Sequence, residues 1–223
     1  RGLGDVYKRQ MPIFIDGEIV AFSCNIAHHA DVGGMVPGSM AGGMSEIYQE
    51  GLRIPVVKLF RKGELQQDIM DILLLNVRVP NERRGDHNAQ IAACRLGARR
   101  LLEVIEENGL KNVLSAFDQI ISRTARRMRL AISEIPSGSY SFEDVMDGDG
   151  IDTTNIPICL TISVSGDKIH LDFSGTSQQV AGNINTTFNA VQASACYALI
   201  AALDSDIASN QGILDAVSYT HLT

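Results

Sequence analysis

Apolar and polar residues alternate in two runs near the start of the chain, and this period of two predicts β-strands. The runs cover residues 11–15 and 18–26, and Asp16-Gly17 between them is a strong signal for a tight hairpin turn. A glycine-rich stretch over residues 31–44 follows, in which so many glycines exclude a regular helix or strand. The pattern therefore predicts a β-hairpin that leads into a loop.

The middle of the chain changes to steps of three and four residues, which are typical of amphipathic helices. After a predicted strand over residues 54–60 and a short helix over 67–75, we predict a long helix from Gly85 to Asn108. A second long helix is predicted from Lys111 to Ile132. The short connection between these two helices predicts an antiparallel αα-hairpin.

Beyond Gly138 the period returns to two, which predicts a β-meander through residues 140–142, 158–164 and 169–173. A polar loop and a small-residue helix over residues 190–203 follow. The order of elements is typical of the α+β class, with mixed β-strands and an αα-hairpin.

Residues 1–10 and 216–223 differ from the rest because they carry no clear period and no terminal cap. We expect both segments to be sequence that does not belong to the native protein, with residues 11–215 as the internal part of a larger domain. The alternative is a natural terminal strand at each end. If the chain is such a piece, we expect it to expose apolar surface and to be inactive alone.

Composition narrows the functional class. The 223 residues carry a formal net charge of −7, and only 5% of them are aromatic. An acidic chain with few aromatic residues is a poor nucleic-acid binder, and no apolar run approaches the length that spans a bilayer. The four cysteines are widely spaced among apolar neighbours and form no CxxC pair, which favours buried, reduced thiols and a cytoplasmic location.

The segment His28-His29-Ala30-Asp31 is the sharpest candidate for chemistry, because imidazole and carboxylate groups can converge on a divalent cation. Adjacent residues of a strand point to opposite sides, so only one histidine of the pair is expected to be a direct ligand. The other histidine could serve as a supporting residue or a general acid or base. The alternative is a loop in which Asp31 caps backbone amides and the histidines bond locally.

Two neighbouring features are open to more than one interpretation. The glycines over residues 33–43 could bring backbone amides to a ligand or an oxyanion, or could simply form a flexible connection. They match no nucleotide-binding fingerprint. Asp86 stands at the predicted start of the first long helix, where an acid most simply caps free amides.

Several of these stretches, taken together and in order, resemble the hydantoinase B / 5-oxoprolinase family. The match runs from about Pro12 to Leu214. The stretches that carry the resemblance are Ala27–Gly34, Pro37–Ser39, Tyr48–Pro55, Arg84–Gln90, Leu171–Thr176, Gly182–Asn185 and Ser209–Ile213.

The resemblance implies a part of a larger, multi-layer hydantoinase B-like fold and an ATP-dependent hydrolysis of cyclic amides such as 5-oxoproline or hydantoins. It implies a hetero-oligomer with a hydantoinase A-type partner, which binds ATP and phosphorylates the carbonyl oxygen of the amide. It further implies a divalent metal (Mn, Zn or Mg) held by His28, with His29 and Asp31 as catalytic acid–base or supporting groups.

One departure from the family pattern concerns the metal. In relatives of this kind an upstream His-x-x-Asp segment completes the ligand set, and here the corresponding positions precede Met11, within residues 1–10. Two alternatives therefore stay open: a subunit of an acetone- or acetophenone-type carboxylase, and a non-catalytic scaffold for the ATP-binding partner.

Overall fold

The computed structural model of the chain describes residues 6–220. The chain divides into two compact units, one that ends at Gly109 and one that begins at Leu110. Both units combine helices with β-strands, so the predicted α+β class is confirmed. The predicted packing of the two long helices against each other would join the two units and stays a prediction.

The first unit begins with the predicted hairpin. Strands β1 (Val6–Ile15) and β2 (Glu18–His28) pair antiparallel, and the turn residues Asp16 and Gly17 both have positive φ, of 51° and 86°. Such a two-residue turn matches the twist of the strands it joins. Strand β1 starts five residues earlier than predicted, because residues 6–10 continue the ladder opposite residues 24–28.

The rest of this unit is mostly helical. Its elements are α1 (Ile47–Glu50), the short strands β3 (Phe60–Arg61) and β4 (Glu64–Leu65), α2 (Gln67–Leu75) and α3 (Pro80–Asn108). The predicted strand over residues 54–60 is wrong for residues 54–59. Pro55 has no N–H to donate to a ladder, and Val56 and Val57 are exposed, so no face of this segment is buried.

Helix α3 begins at Pro80 and not at Gly85 as predicted. Proline fits the first helical position because its missing N–H needs no partner there. The prediction that Asp86 caps the helix is wrong for the same reason, since Asp86 lies in the second turn and pairs with Arg83. The predicted end at Asn108 is confirmed, with Gly109 at φ 82°.

The second unit is a four-stranded sheet covered by helices. It contains α4 (Leu110–Ser133), β5 (Gly138–Gly148), β6 (Thr154–Ser165), β7 (Lys168–Asp172), α5 (Phe188–Leu203), a 3₁₀ helix (Gln211–Ala216) and β8 (Val217–Thr220). The sheet order is β5-β6-β7-β8, antiparallel except for the parallel pair β7 and β8. The predicted meander is therefore confirmed, and residues 217–220 add one strand to it.

Apolar side chains from α4, the sheet and the 3₁₀ helix form the core of the second unit. Its buried members are Met128, Ile132, Val164, Ile169, Leu171, Ile207, Ile213 and Ala216. Large apolar side chains are also exposed, as expected, among them Phe142 and Val145 on the edge strand β5.

All four cysteines are free, and Cys24 is exposed although burial was predicted. None of the described helices is both long and apolar enough to cross a membrane.

Candidate functional site

At the end of strand β2, the side chains of the adjacent residues His28 and His29 point to opposite sides. His29 points inward and is only 3% exposed, whereas the side chain of His28 lies on the exposed face. This difference follows from the alternation of side chains along a strand. The two residues therefore have different environments, as the sequence pattern indicated.

The inward side of the hairpin packs against helix α3, which places a second histidine beside the first. His87 is 1% exposed, and its ring centroid lies 4.8 Å from that of His29. The ring of Tyr7 on β1 lies 5.0 Å from His29 on another side. Together these aromatic rings form a buried cluster between the hairpin and the helix.

The buried face of α3 explains why His87 and Gln90 reach this cluster. Residues at steps of three and four along the helix turn toward the strands, and they include His87, Gln90, Cys94 and Ala98. Asn25 on β2 secures the same face by donating hydrogen bonds to the backbone carbonyl of Gln90 and to Cys94 Sγ, at 2.7 and 3.1 Å.

Gln90 connects the members of the cluster through its side-chain amide. Its Oε1 lies 3.2 Å from His29 Nε2 and accepts a hydrogen bond from Arg9 Nε at 3.0 Å. Its Nε2 donates to the backbone carbonyl of Tyr7 at 2.9 Å. The guanidinium of Arg9 also reaches Nδ1 of His87, at 2.8 Å.

Some buried polar atoms in this region have no hydrogen-bond partner within the described part of the chain. They include Nδ1 of His29, the hydroxyl of Tyr7 and Nε of Arg83. Buried polar groups in native proteins are nearly always paired, either with protein atoms or with ordered water.

Burial keeps both imidazoles neutral. Burial lowers the pKa of His87 to about 4, with a further contribution from the positive charge of Arg9, and burial also lowers the pKa of His29. A neutral imidazole has one nitrogen that donates and one that accepts, so it can transfer protons.

Asp31, predicted to be catalytic, lies at the beginning of the glycine-rich loop. Its Oδ1 accepts from the amides of Gly33 and Arg78, and its Oδ2 accepts from the amide of Gly38 and from the Arg78 guanidinium. Burial alone would raise the pKa of this carboxyl, but these hydrogen bonds, led by that of the Arg78 side chain, lower it to about 2. A carboxylate so fully engaged stabilises the loop and is a weak base.

The loop itself is packed tightly against its neighbours. A Cβ on Gly33 would lie 2.5 Å from the carbonyl oxygen of Asn76, and a Cβ on Gly34 equally close to that of Gln49. Both glycines have positive φ, which other residues rarely adopt. The loop is therefore held in one conformation, and its amides at Gly33 and Gly38 are already used by Asp31.

The described residues do not form a complete metal site. No group of three His, Cys, Asp or Glu side chains lies close enough to hold an ion among residues 6–220. His28 is exposed at the strand end, and Asp31 is engaged by Arg78. Any metal held by His28 therefore needs ligands from outside the described residues.

Sequence reasoning missed Arg78, His87 and Gln90. His87 and Gln90 belong to the stretch Arg84–Gln90. Their spacing of three or four residues from each other, and from Cys94 and Ala98, could have identified them as one face of a helix. Because Asp86 was interpreted as a cap at the start of the helix, the residues around it were not assigned to the buried face of the helix. Arg78 lies 47 residues from Asp31, and no local pattern signals its contact.

Comparison with known proteins agrees with the resemblance. The family model described as Hydantoinase B/oxoprolinase matches residues 8–221. The 5-oxoprolinase of Dictyostelium discoideum is 32% identical over 208 residues, and the match covers 91% of this chain and 16% of that protein.

Solved structures give the same result. The crystal structure of the ATP-dependent caprolactamase from Pseudomonas jessenii matches with a TM-score of 0.87 and 30% identity, covering 97% of this chain and 37% of that one. The nucleotide-free acetone carboxylase shares the fold, with a TM-score of 0.85 at 22% identity over 96% of this chain and 30% of that one. The chain thus spans between 16% and 37% of the length of these three proteins.

Proposed function

The chain belongs to the hydantoinase B/oxoprolinase family, and on that premise we propose that it is part of an ATP-dependent amidohydrolase acting on cyclic amides such as 5-oxoproline or hydantoins. The observation that carries the proposal is the match to the ATP-dependent caprolactamase over 97% of this chain. The cyclic amide is activated by a hydantoinase A-type partner that binds ATP, and the two proteins form a hetero-oligomer.

In this proposal the two histidines at the end of β2 have different roles. His28, on the exposed face, contributes one ligand to a divalent metal, and the other ligands come from outside the described residues. His29, buried and neutral, exchanges protons during hydrolysis. Asp31 supports the site by ordering the loop that follows the histidines.

Two other functions remain as alternatives. The fold shared with acetone carboxylase favours a carboxylase subunit as the second candidate. A non-catalytic scaffold that only holds the ATP-binding partner is the third candidate. These alternatives differ from the proposal in whether a cyclic amide is opened and whether a metal is bound.

The test uses the full-length protein together with its hydantoinase A-type partner. We expect ATP-dependent opening of 5-oxoproline or a hydantoin and no incorporation of bicarbonate into a ketone. Carboxylation of the ketone would support the carboxylase alternative. Binding of the partner with no turnover of either substrate would support the scaffold.

The metal ligand is tested by His28→Ala in the same complex. We expect bound metal to be lost and turnover to fall by about a hundredfold or more, because a missing ligand weakens both metal binding and catalysis. His170→Ala is the control, since His170 lies on β7 in the second unit and contacts Ser218. Unchanged metal content and turnover in His28→Ala would overturn the assignment.

A further inference from the structure

The two faces of strand β5 differ in character. Side chains alternate along a strand, so Tyr140 and Phe142 share one face, and Ser139 and Ser141 share the other. The register places Phe142 opposite Leu160 of β6, and Leu160 packs against the core of the second unit. The apolar face of β5 is therefore continuous with that core.

The cover over this apolar face stops before it reaches β5. Val164 of β6 and Leu171 of β7 lie on the same face and are buried in one cluster with Met128 of α4. By contrast, Phe142 is 72% exposed and Tyr140 is 45% exposed. Two exposed aromatic side chains beside a core indicate a surface on which a further element packs.

The backbone of β5 also has an edge without a neighbouring strand. On β6, the N–H of Cys159 donates to Thr176 Oγ1 and its carbonyl accepts from the same oxygen, so Cys159 forms a non-hydrogen-bonded pair with Glu143. The N–H and C=O of Glu143 therefore point away from β6, and by alternation so do those of Ser141 and Val145. No strand pairs with this side of β5 among residues 6–220.

Only one end of this edge is protected against pairing. The Val145 amide donates to Asp144 Oδ1 at 2.8 Å, which agrees with its outward orientation and occupies it. The preceding residues, from Ser139 to Glu143, contain no proline and no lysine, and their register against β6 is regular. Natural sheets protect free edges with such residues or with bulges, so this part of β5 is open to a neighbouring strand.

We propose that in the full-length protein this edge is occupied by a β-strand of the same polypeptide, from outside residues 11–215. Its backbone pairs with the outward N–H and C=O groups of Ser141 and Glu143, and its apolar side chains cover Phe142. Because the exposed face continues the core, the added strand extends that core. The matched part amounts to 16–37% of the length of the three relatives described above, so a full-length family member has polypeptide to supply the strand. This pairing is independent of the proposed reaction.

Amide hydrogen exchange of the full-length protein without its partner tests the pairing. The amides of Phe142 and Asp144 point toward β6 and serve as internal controls. We expect the amides of Ser141 and Glu143 to exchange within about tenfold of the rates of these two controls. Exchange of Ser141 and Glu143 at the rate of an unstructured peptide, with both controls protected, would overturn the proposal. Protection that appears only after the partner is added would overturn it as well.

A photoreactive side chain on the apolar face identifies the neighbour. We expect Phe142→p-benzoylphenylalanine in the full-length protein to form a cross-link within one chain, to a peptide outside residues 11–215, as shown by gel mass and peptide mass spectrometry. The same substitution of Ser163, which lies on the polar face of β6, is the control and should not link to that peptide.

A product with the mass of two chains would place a second copy at β5, and a product with the mass of the chain plus its partner would place the partner there. Either product would overturn the proposal. Neither the exchange measurement nor the cross-link depends on turnover, so both decide the pairing even if the complex hydrolyses no cyclic amide.

Discussion

Arg78 and Asp31, 47 residues apart along the chain, form an ion pair with 2.9 Å between Nη1 and Oδ2. The same guanidinium donates to the carbonyl oxygens of Gly34 and Val36, at 2.8 and 2.9 Å. Arg78 thus binds both the acid that begins the glycine-rich loop and the backbone of the loop itself. The pair keeps the segment after His28 and His29 in one conformation.

Replacing the acid should loosen this loop. We expect Asp31→Asn to lower the free energy of unfolding by about 1–3 kcal/mol, since charge-assisted hydrogen bonds are lost and an NH₂ group is placed against N–H donors. Arg78 is partly exposed, and solvent therefore reduces the contribution of the charge pair itself. Urea unfolding of the chain measures the change.

The control for Asp31→Asn is Asp167→Asn, because Asp167 also pairs with an arginine, Arg129, but is about half exposed. An exposed pair contributes little, so this variant should stay within about 0.5 kcal/mol of the wild type. Equal stability changes in the two variants would contradict the structural role of Asp31.

The buried histidines predict a loss of stability in mild acid. The folded state holds His87 with a pKa of about 4, and an unfolded histidine titrates near its ordinary value of 6.5. Between these values the unfolded chain binds more protons, so stability falls as the pH is lowered from about 6.5 toward 4. The difference in pKa corresponds to about 3 kcal/mol for this residue.

The pH dependence is measured as the free energy of urea unfolding across that range. We expect His87→Asn to have a shallower slope than the wild type, with the remainder contributed by His29, whose pKa is also lowered by burial. Cys94→Ala should reduce stability but keep the wild-type slope. The interpretation fails if wild type and His87→Asn lose stability in parallel.

Local signals explain which parts of the fold could be predicted from the sequence. The Asp16-Gly17 turn and helix α2 over Gln67–Leu75 were predicted at the residues where they occur, because turn chemistry and helical periodicity act over a few positions. The predicted start of α3 at Gly85 is wrong, since the helix already begins at Pro80, which occupies the first helical position.

The candidate site was only partly predictable for a physical reason. His28 and His29 are adjacent in sequence, and strand alternation was enough to assign them to opposite sides. The contact between His29 and Gln90 spans 61 residues and depends on how α3 packs against the hairpin. Tertiary packing of this kind leaves no local pattern, so the partners of His29 became apparent only in the structure.

That packing also predicts different effects of alanine substitution at two glycines of helix α3. A Cβ on Gly97 would lie 2.4 Å from Ser23 Oγ on strand β2, whereas a Cβ on Gly85 would meet nothing within 4 Å. Gly85→Ala should raise stability by about 0.5–1 kcal/mol, because alanine loses less conformational entropy than glycine in a helix. At Gly97 the same gain is offset because the Ser23 side chain must rotate away from the new methyl group, so we expect Gly97→Ala to be less stable than Gly85→Ala by about 1 kcal/mol.

The clash at Gly97 can be tested by removing the atom it involves. In the double variant Gly97→Ala, Ser23→Ala, the oxygen at 2.4 Å is absent and the nearest remaining Ser23 atom, Cβ, lies 3.5 Å away, an ordinary contact distance. We expect this second substitution to remove most of the difference in stability between Gly97→Ala and Gly85→Ala, as measured by thermal or urea unfolding with Ser23→Ala as the reference. No change in that difference, or equal stability of Gly97→Ala and Gly85→Ala, would mean that the helix does not approach the strand as closely as described.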